Sequence, residues 1–225
     1  LNSKFKCYWK SHEFRYYIGI ILACTAGFSL WLYYGKYYPS IGEAIQKGAF
    51  QVVAIITTTG YATADFEQWP LGIQFILFFL MFFGGCAGST SGSIKIIRTI
   101  LLVKYAYREI FKLVHPKAFA SIKFGNQVIH KDILQSISGF FILYMGLFVI
   151  CSIIMASLGL DIITAFSSVA ATIGNIGPGL GSVGPSDNYF HIPIIGKTVL
   201  IFCMILGRLE IYTVLVLLIP TFWKK

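Results

Sequence analysis

Residues Thr57-Thr58-Thr59-Gly60-Tyr61-Ala62 end a short amphipathic segment that lies between two long apolar runs. Irregular backbone survives at membrane depth only where it is buried in protein or lines water. A Thr-x-Gly-Tyr loop in that setting meets the demands of a potassium-selective pore. Backbone carbonyls must turn inward to replace the hydration shell of an ion, and glycine permits the torsions this needs. A degenerate version, Thr172-Ile173-Gly174-Asn175, recurs in the second half of the chain.

The rest of the sequence supplies the membrane. The chain is 56% hydrophobic and 12% charged, with a mean hydropathy of +0.75, far more apolar than a soluble domain. Apolar runs cover residues 16–34, 71–83 with a continuation past a glycine-rich break to about 103, 133–158 and 192–220. These lengths approach or exceed the ~18–20 residues that cross a bilayer as a helix. The expected fold is an all-α integral membrane protein.

Net charge of +9 would suggest nucleic acid in a soluble protein, but the charges are placed otherwise. Lys4, Lys6, Lys10 and Arg15 precede the first run. Lys104, Arg108, Lys112, Lys117, Lys123 and Lys131 fill the connector between the second and third, and Lys224 and Lys225 end the chain. If four spans alternate, all of these fall on one side, which the positive-inside rule makes cytoplasmic. Glu43, Asp65, Glu67, Asp161 and Asp187 fall on the other, where they attract cations. Trp9, Trp31, Trp69 and Trp223 lie near the ends of runs, as an interfacial belt would place them. No nucleic-acid partner is expected, whereas anionic lipid headgroups suit the basic connector.

The chain starts at Leu1 rather than Met, which suggests a fragment or a processed chain. The long first run, with no small-residue cleavage site after it, is not a signal peptide. Cys7, Cys24, Cys86, Cys151 and Cys203 have no metal-ligand spacing and read as small packing residues. His12, His115, His130 and His191 likewise form no ligand pattern, and no nucleophile–base grouping or nucleotide fingerprint is present. An enzyme is not expected.

Each half reads as apolar run, short amphipathic helix, glycine-containing loop, second apolar run. The short helices share Ala-Phe-x-x-Val-Ala at 49–54 and 165–170, and Met81-Phe82-Phe83-Gly84-Gly85 aligns with Met204-Ile205-Leu206-Gly207-Arg208. The division predicted is residues 1–115 and 116–225. Segments 41–56 and 162–171 are too short to span. Each is expected to be a re-entrant pore helix with the negative end of its dipole aimed at a bound cation; the alternative is a helix lying in the interface.

Within residues 84–93, Gly84, Gly85, Gly88 and Gly92 alternate with Ser89, Thr90, Ser91 and Ser93. Glycine costs a helix about 1 kcal/mol relative to alanine, and the hydroxyls compete for backbone partners, so the helix is expected to break inside the membrane. Close helix packing through small residues is the alternative. Arg208 sits deep in the last run, where a charge is a functional candidate; a structural arginine bonded to carbonyls is the plainer reading. Lys95 is a possible partner for nearby Glu210.

The stretch 57–66 with Trp69-Pro70 resembles the third filter of TrkH-type members of the Trk/Ktr/HKT superfamily of potassium transporters. Residues 84–95 resemble that family's glycine-rich break, 174–181 its fourth filter, and Gly207-Arg208-Leu209-Glu210 its last span. The resemblance implies four such repeats around one pore, this chain supplying the third and fourth. It implies potassium bound by carbonyls of Thr58, Thr59, Gly60 and Tyr61 and of Thr172, Ile173, Gly174 and Asn175. It also implies a gate formed by Gly84, Gly85, Gly88, Ser89, Thr90, Ser91 and Gly92, with Arg208 facing the pore and touching that loop. Expected partners are the two remaining repeats of the same polypeptide, a second copy in a homodimer, a cytoplasmic nucleotide-binding regulatory subunit and membrane lipid. The expected location is the inner membrane. A sodium-permeable member of the superfamily and a non-conducting scaffold are the rival readings.

Overall fold

Ser11 opens the first helix by accepting a hydrogen bond from the Phe14 backbone, and Gly35 closes it on the Trp31 and Tyr33 carbonyls. In this computed structural model, which describes residues 11–116, 121–125 and 127–223, that helix is α1, His12–Tyr34. Lys4, Lys6, Cys7, Trp9, Lys10, Lys117, Lys224 and Lys225 lie outside the described residues.

Ser40 caps α2, Ile41–Ile56, and a 3-10 turn at Phe66–Gln68 capped by Asp65 leads to α3, Leu71–Leu80. Irregular backbone at 81–95 precedes α4, Ile96–Val114. A two-residue hairpin pairs β1, Lys123–Phe124, with β2, Gln127–Val128, antiparallel in the register Lys123 to Val128. The second half repeats the order: α5, Lys131–Ser157; α6, Ile162–Ile173, capped by Asp161; a 3-10 turn at Tyr189–His191; α7, Ile194–Arg208; and α8, Ile211–Leu218. A last turn, α9, covers Pro220–Trp223.

Among the described residues two helices, α1 and α5, are long and apolar enough to cross a membrane, and α7 with α8 makes a third run bent by 110°. The second expected run is interrupted, as its glycines led one to expect. Its first part, α3, is short and apolar, while α4 is amphipathic with only Ile96 and Leu101 buried. Exposed apolar side chains elsewhere, such as Leu22, Phe75, Ile142 and Ile194, are what a lipid-facing surface carries.

The core joins both halves through Leu32, Val52, Ile55, Leu77, Phe148, Val169, Ile173 and Cys203. Whereas α2 leaves Ile41, Ile45, Phe50 and Val53 exposed, α6 buries every residue except Ile162, Ile163 and Phe166. Its buried hydroxyls find local partners: Ser168 donates to the Ala165 carbonyl and Thr172 to the Ser168 carbonyl. Ser167 reaches across to the Leu180 carbonyl at 2.7 Å. Trp69, expected at an interface, is instead buried and donates to the Tyr38 hydroxyl at 3.1 Å. Asp65 and Asp161, read as part of an acidic outer face, work as helix caps.

Glu67 joins the loop between α2 and α3 to the loop between α6 and α7. Its carboxylate lies where a Cβ on Gly184 would stand, and its Oε1 is buried without a hydrogen-bond partner among the described residues. Burial pushes the Glu67 carboxyl above its ordinary range; a hydrogen bond accepted from the Gly181 backbone opposes the shift, and Asp65 and Asp187 add to it. A carboxyl raised in the folded state lends its full stability below the unfolded pKa and loses it as pH climbs through the folded value. Glu67→Gln is therefore expected to raise the Tm of purified protein at about pH 8 and to leave it nearly unchanged near pH 4, close to the free carboxylate value. Thermal melts at the two pH values test this, and equal shifts at both would contradict it.

Candidate functional site

Both short helices end in the same backbone figure. After α2, Thr57 donates to the Val53 carbonyl, Thr58 to Ile55 and Thr59 to Ala54. After α6, Gly174 donates to Ala170, Asn175 to Thr172 and Ile176 to Ala171. The torsions repeat as well. Thr58 and Gly60 adopt φ of 55° and 75°, and Asn175 and Gly177 adopt 54° and 118°. Alternating left-handed and ordinary residues turns successive carbonyls to one side, which is what ion coordination by backbone needs.

This pairs Thr58, Thr59, Gly60 and Tyr61 with Asn175, Ile176, Gly177 and Pro178, so the sequence-based pairing of Gly60 with Gly174 is three residues out of register. Thr172 and Ile173 belong to the last turn of α6. The Ile173 carbonyl packs on Gly207, and the Gly174 carbonyl packs on Gly92. Gly177, in contrast, is exposed with open space where a Cβ would point. At Gly60 a Cβ would run into the Ile176 carbonyl oxygen, so the two loops meet backbone to backbone.

Beneath them runs the irregular segment 81–95. Its two legs pair through Gly84 N–H to the Ile94 carbonyl at 2.8 Å, Ile94 N–H to Phe82 at 3.1 Å and Ile96 N–H to Gly85 at 3.2 Å. Gly84 and Gly92 allow this approach, because a Cβ on Gly84 would strike the Gly92 carbonyl. Gly85 N–H donates to Ser91 Oγ at 2.7 Å, and Gly88 turns the apex with φ 81°.

Further hydrogen bonds, some within the segment and some from other elements, hold it. Gly92 N–H donates to Thr58 Oγ1 at 3.2 Å, tying it to the first loop. Ser93 Oγ donates to the Met81 carbonyl at 2.6 Å and reaches the Gly174 carbonyl at 3.4 Å. Lys95 Nζ donates to the Ser89 and Ser91 carbonyls at 2.7 and 2.6 Å. The Glu13 carboxylate accepts from Ala87 N–H at 2.6 Å. Arg208 donates to the Thr90 carbonyl. Arg208 thus touches the segment that the resemblance assigned to it, by way of a backbone carbonyl.

Lys95 is not the partner of Glu210. Arg98 is, at 2.8 Å. Lys95, Arg98, Arg208 and Glu210 line one cavity of about 290 Å³ with Thr90, Ser91 and Phe140. Sequence reading missed Glu13, Thr58 Oγ1 and Arg98 as supports. Glu13 and Arg98 are ordinary helix-surface charges by local pattern, and only the folded backbone brings Glu13 to the segment and Glu210 to Arg98. Among the described residues no group of His, Cys, Asp and Glu could hold a metal ion. Cys24, Cys86, Cys151 and Cys203 are free thiols.

A family model for TrkH, described as a cation transport protein, matches residues 36–225. The Trk system potassium uptake protein TrkH of Salmonella typhimurium is 42% identical over 220 residues, covering 98% of this chain and 45% of that protein. TrkH of Vibrio parahaemolyticus is 43% identical over 221 residues, again 98% and 45%. TrkG of Escherichia coli is 34% identical over 213 residues, 95% and 43%. The crystal structure of the potassium transporter TrkH from Vibrio parahaemolyticus superposes with a TM-score of 0.89 at 42% identity, over 96% of this chain and 46% of that one. The chain spans less than half the length of these relatives, which are named as uptake proteins and not as enzymes. It belongs to the TrkH family of cation transport proteins.

Proposed function

We propose that this chain forms two of the filter loops of a potassium uptake pore, with segment 84–92 as the gate beneath them. The observation that carries this reading is the repeated loop: the same hydrogen bonds and the same left-handed positions at the ends of α2 and α6. Carbonyls of Thr58, Thr59, Gly60 and Tyr61, and of Asn175, Ile176 and Gly177, would coordinate a dehydrated potassium ion. Thr172, Ile173 and Gly174 would support the second loop from behind rather than face the ion. The C-terminal ends of α2 and α6 direct partial negative charge toward it.

In this reading α2 and α6 are re-entrant pore helices, and residues 1–115 and 116–225 are two repeats of one architecture. Two further repeats complete the ring in the same polypeptide, and the whole protein pairs as a homodimer. The filter opens to the outside of the inner membrane. The basic face of α4, with Lys104, Arg108 and Lys112, lies on the cytoplasmic side, within reach of a nucleotide-binding regulatory subunit and of anionic lipid. Arg208 blocks the path twice over, by holding Thr90 across it and by repelling cations with its own charge.

Gly60→Ser adds about 1–2 kcal/mol of left-handed strain and a clash with the Ile176 carbonyl. In the full-length parent, reconstituted in liposomes, it is expected to cut the preference for potassium over sodium about tenfold, since ~1.4 kcal/mol corresponds to that factor. Rubidium tracer uptake with potassium or sodium as competitor measures it. An unchanged preference would return the loop to a scaffold role, and equal competition by both ions in the wild type would favour the sodium-permeable reading.

Arg208→Gln removes a charged hydrogen bond worth about 1.5–3 kcal/mol from the closed loop. It is expected to raise tracer flux about tenfold or more while keeping ion preference. Flux unchanged or lowered would count against a gate at this segment.

A further inference from the structure

The last apolar run bends sharply between α7 and α8. α7 ends at Arg208, Leu209 follows, and Glu210 takes φ 61° before α8 departs at 110°. A side chain with a Cβ stays in the left-handed region only when its surroundings fix it there. At Glu210 the surroundings are one ion pair and the next turn. Its Oε2 accepts from Arg98 at 2.8 Å, and its backbone carbonyl accepts from the Thr213 N–H and hydroxyl at 3.1 and 2.7 Å.

Arg98 is itself set in place. Its guanidinium lies 4.3 Å from the centroid of the Phe140 ring on α5, a stacking that a planar cation favours. Arg98 is three residues past Lys95 at the start of α4, and Glu210 is two residues past Arg208 at the end of α7. Lys95 grips the Ser89 and Ser91 carbonyls, and Arg208 grips the Thr90 carbonyl between them. The Arg98–Glu210 pair therefore joins the roots of the two cationic arms that hold the apex of segment 84–92. Neither Arg98 nor Glu210 has a hydrogen bond to that segment, so each acts on it through a neighbour.

We propose that Arg98 and Glu210 form a latch: their ion pair holds the break in the last run in its bent form and so keeps both arms on segment 84–92. Releasing the pair lets α7 and α8 reorient, draws Arg208 off Thr90, and frees the segment to leave the path. The pair suits a reversible catch. Its side chains are 25% and 48% exposed to the cavity and its surroundings, so it is held in part by water and does not carry the full cost of a buried charge. This inference rests on the reading of 84–92 as a gate.

The test uses the full-length parent in proteoliposomes, with tracer flux and the potassium-over-sodium preference measured together. Arg98→Gln and Glu210→Gln are each expected to raise flux about three- to tenfold with preference unchanged, the range that loss of a modest ion pair gives a two-state equilibrium. The double reversal Arg98→Glu with Glu210→Arg is expected to return flux to within about twofold of wild type, because it restores the pair with opposite polarity. Single variants that leave flux unchanged or lower it, or a reversal no closer to wild type than the singles, would overturn the latch. If a glutamine variant does not fold, Arg98→Lys and Glu210→Asp keep both charges, shorten their reach and carry the same test. Arg208→Gln in the same assay separates the two ideas. A rise there without a rise in the Arg98 and Glu210 variants sinks the latch alone; no rise in any of them sinks the gate; a rise only in the latch pair sinks the route through the segment.

Discussion

Backbone pressed directly on backbone is the constraint on which this structure turns. Four such places lie around the two loops: Gly60 against the Ile176 carbonyl, Gly92 against the Gly174 carbonyl, Gly207 against the Ile173 carbonyl, and Gly84 against the Gly92 carbonyl. Together they stack the first loop on the second, the second on segment 81–95 and on α7, and that segment on itself. A Cβ at any one would force the layers apart. Helix α1 packs on α2, α5 and α7 pack on α6, and α2 and α6 deliver the chain to this stack.

Polar groups brought to such depth need partners, and the chain supplies them from unrelated places. Thr58 and Glu13 accept backbone N–H groups of the broken segment, while Lys95 and Arg208 donate to its carbonyls. An interrupted helix loses its own ladder, and Glu13 of α1, Thr58 of the first loop, Arg208 of α7 and the segment's own Lys95 replace it. The sharing matters for dynamics, since one support can release while the others still satisfy the remaining groups.

Much of this was legible in the sequence. Apolar runs and the position of lysines gave the helical membrane class, and the glycine–serine density at 84–93 located the break to within a few residues. The register of the second loop was not. The shared Ala-Phe-x-x-Val-Ala suggested one alignment, whereas the hydrogen bonds follow another, one residue away along the helices and three at the key glycine. The second loop has Asn175 where the first has Thr58, and its glycine stands among Gly174, Gly177, Gly179 and Gly181. Composition cannot say which of several glycines adopts a left-handed torsion; the helix end decides. Arg98 was hidden for a different reason: a 110° bend brings Glu210 to it, and no local pattern encodes such a bend. Trp69 looked interfacial by position but is held inward by Tyr38.

The glycine contacts carry a consequence for how such a sequence can drift. When two side chains touch, enlarging one can be matched by shrinking the other, and the pair can wander together through many combinations. At Gly60, Gly92 and Gly207 the opposing atom is a carbonyl oxygen of the main chain, which every amino acid possesses and none can remove. No second substitution at the facing position restores the lost room. These places are frozen individually rather than in pairs, while the surrounding supports, built from side chains such as Thr58, Ser93 and Lys95, remain free to be exchanged in concert.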